Sequence, residues 1–79
     1  MKVTVVCFGA LRDFLPVAAV GNSADLELGE GARVQDVVDA LGAPQGLVHA
    51  LLVDGRRSTL DARLSDGAEV TLMPPFTGG

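Results

Sequence analysis

The stretch Arg33–Pro44, RVQDVVDALGAP, constrains the fold more than any other part of the chain. Val34, Val37, Val38 and Leu41 recur at i, i+3, i+4 and i+7, one apolar stripe on a helix, while Gln35, Asp36 and Asp39 fall on the watered side. Asp36 stands in the first turn, where the helix dipole favours negative charge. Gly42 is placed to close the helix in a left-handed cap, and Pro44 forbids its continuation. Valine is only a fair helix former, so tertiary packing must hold this short helix. The one clear helix therefore needs an apolar surface from the rest of the chain.

That surface is written with a period of two. Lys2–Phe8, KVTVVCF, reads as a first strand with Val3, Val5 and Cys7 on one face and Thr4, Val6 and Phe8 on the other. A sheet covered on one side carries polar residues on its open face, so Val6 and Phe8 there mark an apolar patch that something else covers. GALRDFLPVAAVGNS reads as a loop or broken turn, and ADLEL as a second strand that pairs with the first as a hairpin. ALLVDGRRS gives a third strand, an Asp54-Gly55 turn and a short fourth strand. LDARLSDG supplies Leu60 and Leu64 as core plugs and ends in a second turn at Asp66-Gly67. In EVTLM, the last strand, Val70 and Leu72 point to the core while Glu69, Thr71 and Met73 alternate with them, Met73 outward. The order ββαββ, with first and last strands able to pair in parallel, predicts an α+β fold of the β-grasp (ubiquitin-like) type: a mixed sheet of four or five strands with one main helix across it.

A chain of 79 residues is one domain, read as a β-grasp body over 1–73 and an extended tail over 74–79. Cys7 is the only cysteine, so stability comes from packing without a disulfide, and no Cys/His set suits a metal. No apolar run approaches the roughly 18 residues of a membrane span, nor does the N-terminus carry a signal-peptide pattern, which suggests a cytoplasmic protein. With a net charge of −4 and scattered basic residues, nucleic acid is not an expected partner; a basic protein groove is.

Catalytic inventory is thin. His49 is the only histidine, and no motif sets it beside a nucleophile. Cys7 lies on the inward strand face and reads as a small core residue. Asp36 and Asp39 share a solvated helix face. GEGA at 29–32 lacks the lysine and glycine spacing of a phosphate loop, and Glu30 would repel phosphate.

The remaining feature is MPPFTGG. Pro74 and Pro75 fix φ and remove backbone donors, predicting a stiff arm that leaves the last strand. Gly78 and Gly79 have no Cβ and can enter a channel too narrow for other residues. A free carboxylate at Gly79 is a poor electrophile, but adenylation by ATP would let a sulfur nucleophile attack it, giving a thioester or a thiocarboxylate.

The whole chain resembles the ubiquitin-like sulfur carriers of the MoaD/ThiS group, through CFGALRDFL, VQDVVDALG, LLVDGR, LSDGAEVTLMPP and the final Gly-Gly. FGALRDFL is similar to the molybdopterin synthase small-subunit type; thiamin-type carriers usually place an Asn-Gly turn there. The resemblance implies a protein co-substrate with no bound cofactor, not an enzyme. Its Gly79 would be adenylated by an E1-like enzyme using ATP, sulfurated by a sulfurtransferase, and inserted into a large MoaE-like catalytic subunit. Gly78, Thr77, Phe76, Pro75, Met73 and Phe8 would then be binding residues, with Phe8, Met73 and Phe76 as exposed apolar contacts. Thiazole, cysteine or tRNA thiolation are alternative destinations for the sulfur. So is a modifier role, with Gly79 in an isopeptide bond, or a plain interaction domain. Two departures stand out. Phe76 occupies a position where the group more often has a small aliphatic residue, and RDFLP and LGAPQGLV are similar to ubiquitin-like domains fused to RNA-processing nuclease modules, which do not end in Gly-Gly.

Overall fold

The valine-rich alternation at the N-terminus becomes β1, Lys2–Cys7, in the computed structural model, which describes residues 1–75. It pairs antiparallel with β2, Ser23–Glu27, and parallel with β5, Glu69–Met73. On its other side β5 pairs antiparallel with β3, Ala50–Val53, which turns back into β4, Arg56–Arg57. The sheet has five strands in the order β2-β1-β5-β3-β4, so the two termini of the described chain supply its centre. The helix α1, Val34–Leu41, lies between the two hairpins in sequence. This is the β-grasp architecture expected from the pattern.

Local chemistry sets each junction. Asp54 and Gly55 both take positive φ, 52° and 83°, the geometry of a tight hairpin turn whose twist suits the strands. The Asp54 carboxylate accepts the Glu69 N–H at 2.9 Å, fixing that turn to β5. At the start of α1, Asp36 accepts the Arg33 N–H at 2.7 Å. The Val34 and Gln35 N–H groups donate to the carbonyls of Ala62 and Leu60 at 3.0 and 2.8 Å, so donors left without helical partners are satisfied by the loop beneath. Gly42, at φ 70°, caps the other end.

The core forms between α1 and one sheet face. Val3, Val5, Cys7, Val70 and Leu72 from the strands meet Val34, Val37 and Val38 from the helix, all essentially without solvent exposure. Burial also raises the Cys7 thiol pKa, since the thiolate would lose its hydration. The native protein should therefore react with a thiol-specific disulfide reagent only as fast as it opens, and denaturant should restore the rate of a free cysteine. A native rate equal to that of free cysteine would place Cys7 at the surface.

Four details differ from the sequence reading. Residues 9–14, expected within a loop, form a 3₁₀ helix, Gly9–Phe14, that drives Leu11 fully into the core. Thr71, assigned to the outer face, is buried, because β5 is central and Val6 and Leu52 flank it in register on both sides. Leu41 and Leu60 are only half-buried, and Leu64 alone of the two loop leucines is a full core plug. A second short 3₁₀ helix, Gln45–Leu47, follows α1. No helix among the described residues is long and apolar enough to cross a membrane.

Candidate functional site

Where β5 leaves the sheet, the surface becomes apolar and concave. A cleft of about 640 Å³ is lined by Gly9, Ala10, Leu47, His49, Ala50, Met73, Pro74 and Pro75. Three pieces of chain build it. The 3₁₀ helix after β1 forms one wall, the approach to β3 forms the other, and the end of β5 with its two prolines forms the floor and rim. The His49 N–H donates to the Met73 carbonyl at 2.9 Å, and the Phe8 N–H donates to the Leu72 carbonyl at 3.1 Å, so both walls are tied to β5 by its backbone. Met73 and Ala50 are cross-strand partners, which puts their side chains together on the open face of the sheet.

Gly9 is the tightest point of this arrangement. Its φ is +55°, and a Cβ built on it would stand 2.8 Å from Cγ of Pro74. Both the backbone conformation and the close approach of Pro74 therefore require glycine. Gly9→Ala should cost about 1–2 kcal/mol from the left-handed backbone alone, and the clash should displace the Met73–Pro75 amide and α-proton resonances. A denaturation midpoint and spectrum unchanged by the substitution would remove Gly9 from this role.

The residues singled out from the sequence are distributed unevenly. Met73 and Pro75 line the cleft together, Met73 half-buried and Pro75 exposed. Phe8 is 43% exposed and stands beside the cleft without lining it. Phe76, Thr77, Gly78 and Gly79 lie outside the described residues. Sequence reasoning missed Gly9, Ala10, Leu47 and Ala50 as site residues; only Gly9, next to an apolar strand end and before a single turn, carried a local signal. His49, read as a surface or boundary residue, is exposed at the cleft rim. Among the described residues there is no group of three or more His, Cys, Asp and Glu able to hold a metal. The lining offers one imidazole and otherwise hydrocarbon and backbone, a surface suited to apolar contact.

Fold and site together define a ubiquitin-like β-grasp domain whose central last strand runs out at an apolar surface. The chain belongs to the Mut7-C ubiquitin family, whose model matches residues 1–78. No curated protein matches it significantly in sequence. Among solved structures it is similar to SAMP1 from Haloferax volcanii, with a TM-score of 0.76 at 22% identity over 100% of both chains. A protein from Pyrococcus furiosus described as molybdopterin converting factor, subunit 1, matches with a TM-score of 0.69 at 28% identity, covering 94% of this chain and 97% of that one. The complex of subunits 1 and 2 of molybdopterin-converting factor from Helicobacter pylori contains a chain matching with a TM-score of 0.63 at 22% identity over 100% of both. The chain is thus a MoaD-like ubiquitin-fold protein.

Proposed function

We propose that this protein is a sulfur carrier whose Gly79 carboxylate is adenylated and converted to a thiocarboxylate, in molybdopterin biosynthesis. The observation that carries the reading is the position of β5: this central strand, paired on both sides, leads through Pro74 and Pro75 toward the sequence that ends in Gly78-Gly79. A narrow acyl donor rooted in a rigid body is what an activating enzyme can thread into its site. The similarity to a protein described as molybdopterin converting factor, subunit 1, supports the molybdopterin assignment.

In this reading a Gly79 carboxylate oxygen attacks the α-phosphorus of ATP on an E1-like enzyme, and pyrophosphate leaves. A sulfur nucleophile supplied by a sulfurtransferase then attacks the carbonyl carbon and AMP departs, so a C–O bond is exchanged for C–S. The apolar surface around Met73, Phe8 and the cleft docks the activating enzyme and then a large MoaE-like subunit, as subunit 2 accompanies subunit 1 in the Helicobacter pylori complex. The chain contributes a carboxylate and a handle, and no catalytic group of its own.

RDFLP and LGAPQGLV, which are similar to ubiquitin-like domains fused to RNA-processing nuclease modules, favour a second reading, an interaction module that does not use its end chemically. Intact mass separates the two. Protein isolated from its own host, or incubated with an E1-like enzyme, ATP and a sulfur donor, should gain about 16 Da on its C-terminal fragment, the exchange of oxygen for sulfur. No gain in the reconstituted reaction would favour the interaction module.

A further inference from the structure

β2 is one edge of the sheet, and its outer side carries no strand. The Leu28 N–H donates to the Met1 carbonyl at 2.8 Å and the Cys7 N–H to the Asn22 carbonyl at 2.9 Å, so the register between them turns the backbone groups of Ala24 and Leu26 toward β1. Those of Asp25 and Glu27 therefore point away from the sheet, and among the described residues nothing pairs with them. The outward groups of Ser23 are already closed by reciprocal bonds with Val20, at 3.1 and 2.9 Å.

The two faces of this edge differ in chemistry. Asp25 and Glu27 lie on the open face across from Thr4 and Lys2, with side chains 58% and 78% exposed. Asp25 accepts the Thr4 hydroxyl at 3.0 Å and stands 4.0 Å from the Lys2 ammonium; Glu27 stands 3.6 Å from the Met1 amine. Past Glu27 the edge ends at a hollow of about 430 Å³ whose lining includes Glu27, Glu30 and Asp36, so negative charge continues along it. On the helix face, Ala24, Leu26 and Leu28 pack against the core but remain half-buried.

We propose that β2 takes up an extended segment of a partner protein as a further strand, with Lys or Arg at alternate positions and apolar residues between them. The added strand, about 4.8 Å from β2, exchanges backbone hydrogen bonds with Asp25 and Glu27. It sets its cations opposite their carboxylates and covers Leu26 with its apolar side. A second copy's β2 is the wrong occupant, because antiparallel pairing of two such edges opposes carboxylate to carboxylate on one face, a pattern that keeps edge strands apart. β1 separates β2 from β5, so the added strand leaves the cleft open and does not depend on the chemistry of Gly79.

The test uses the full chain and an end-blocked hexapeptide of alternating lysine and valine, with a glutamate-valine hexapeptide as control. Measured by magnetisation transfer from water, the Asp25 and Glu27 amides should exchange like unprotected amides in the protein alone. Saturation with the lysine peptide should slow both several-fold, leave the Met73 and His49 resonances in place, and weaken as salt is raised. Glu27→Gln removes the charge and should weaken binding several-fold. Glu27→Pro also removes an outward N–H that β1 does not use, so circular dichroism should show the fold intact while binding falls further. Unchanged exchange at Asp25 and Glu27, an equal effect of the glutamate peptide, or shifts centred on Met73 and His49 would overturn the proposal. So would protection of the two amides that grows with protein concentration in peptide-free samples, which would make this edge a contact between copies.

Discussion

Deleting Gly78 and Gly79 is expected to abolish activation while leaving the fold intact. The buried core ends at Leu72, so stability should stay within about 0.5 kcal/mol of the full chain. Adenylation, followed as ATP-pyrophosphate exchange with the E1-like enzyme, should disappear, because the truncated carboxylate ends two residues short of the α-phosphate. Extending Gly79 by one alanine should be nearly as damaging. It moves the reacting carboxylate by about 3.5 Å, and displacement of a reacting group by even 1 Å can cost on the order of 100-fold in rate. Gly78→Val tests channel width separately from length, since it keeps the carboxylate at its native reach. Undiminished exchange by the extended chain would rule out attack by a carboxylate at Gly79. A truncated chain that keeps all its binding partners would leave the interaction module as the better account.

The second large effect is expected at Leu11. It heads the fully buried side chains by size, and the 3₁₀ helix that carries it is held by the Leu11 N–H to the Phe8 carbonyl at 3.1 Å. Truncation to alanine removes buried methyl groups and leaves a void that a β-sheet floor cannot close, so Leu11→Ala should destabilise by about 3 kcal/mol. Domains of this kind have only about 5–15 kcal/mol to lose, and small ones lie at the low end. Val17→Ala, three residues beyond the same helix and fully exposed, is the control and should be neutral within about 0.5 kcal/mol. Equal midpoints for the two variants in urea denaturation would mean that the 3₁₀ segment is not docked on the core. The Leu11 variant should also loosen the cleft, because Gly9 and Ala10 belong to the same turn.

Helix and strands were legible because each carries its own period. The stripe of Val34, Val37 and Val38 is buried as the i, i+3, i+4 spacing requires, and Val3, Val5, Val70 and Leu72 are buried as strand alternation requires. Asp54-Gly55 and Gly42 were legible for a different reason: positive φ is so costly for most residues that the residue type announces the conformation. Leu11 was not legible. A 3₁₀ helix of six residues completes too few turns to show a repeat, and a single leucine among Arg12, Asp13 and small residues looks like a surface loop. Thr71 was misplaced because a hydroxyl on the face away from the helix normally meets water, and only the identity of the neighbouring strands reverses that.

The sequence by itself determined the strands and the one α-helix, the turns at Asp54-Gly55 and Asp66-Gly67, and the thiol's place in the core. These are local properties, set by backbone sterics and by the period at which apolar residues recur. The tertiary structure decided that β5 is the central strand, that it lies parallel to β1, and that Gly9 must be bare so that Pro74 can approach to its side. It also assembled the cleft from residues 9–10, 47–50 and 73–75, segments that share no periodic signal. A concave surface made where three strand ends meet exists only after the strands have chosen their neighbours, and pairing is settled by the burial of the whole sheet face against one helix, not by any single segment.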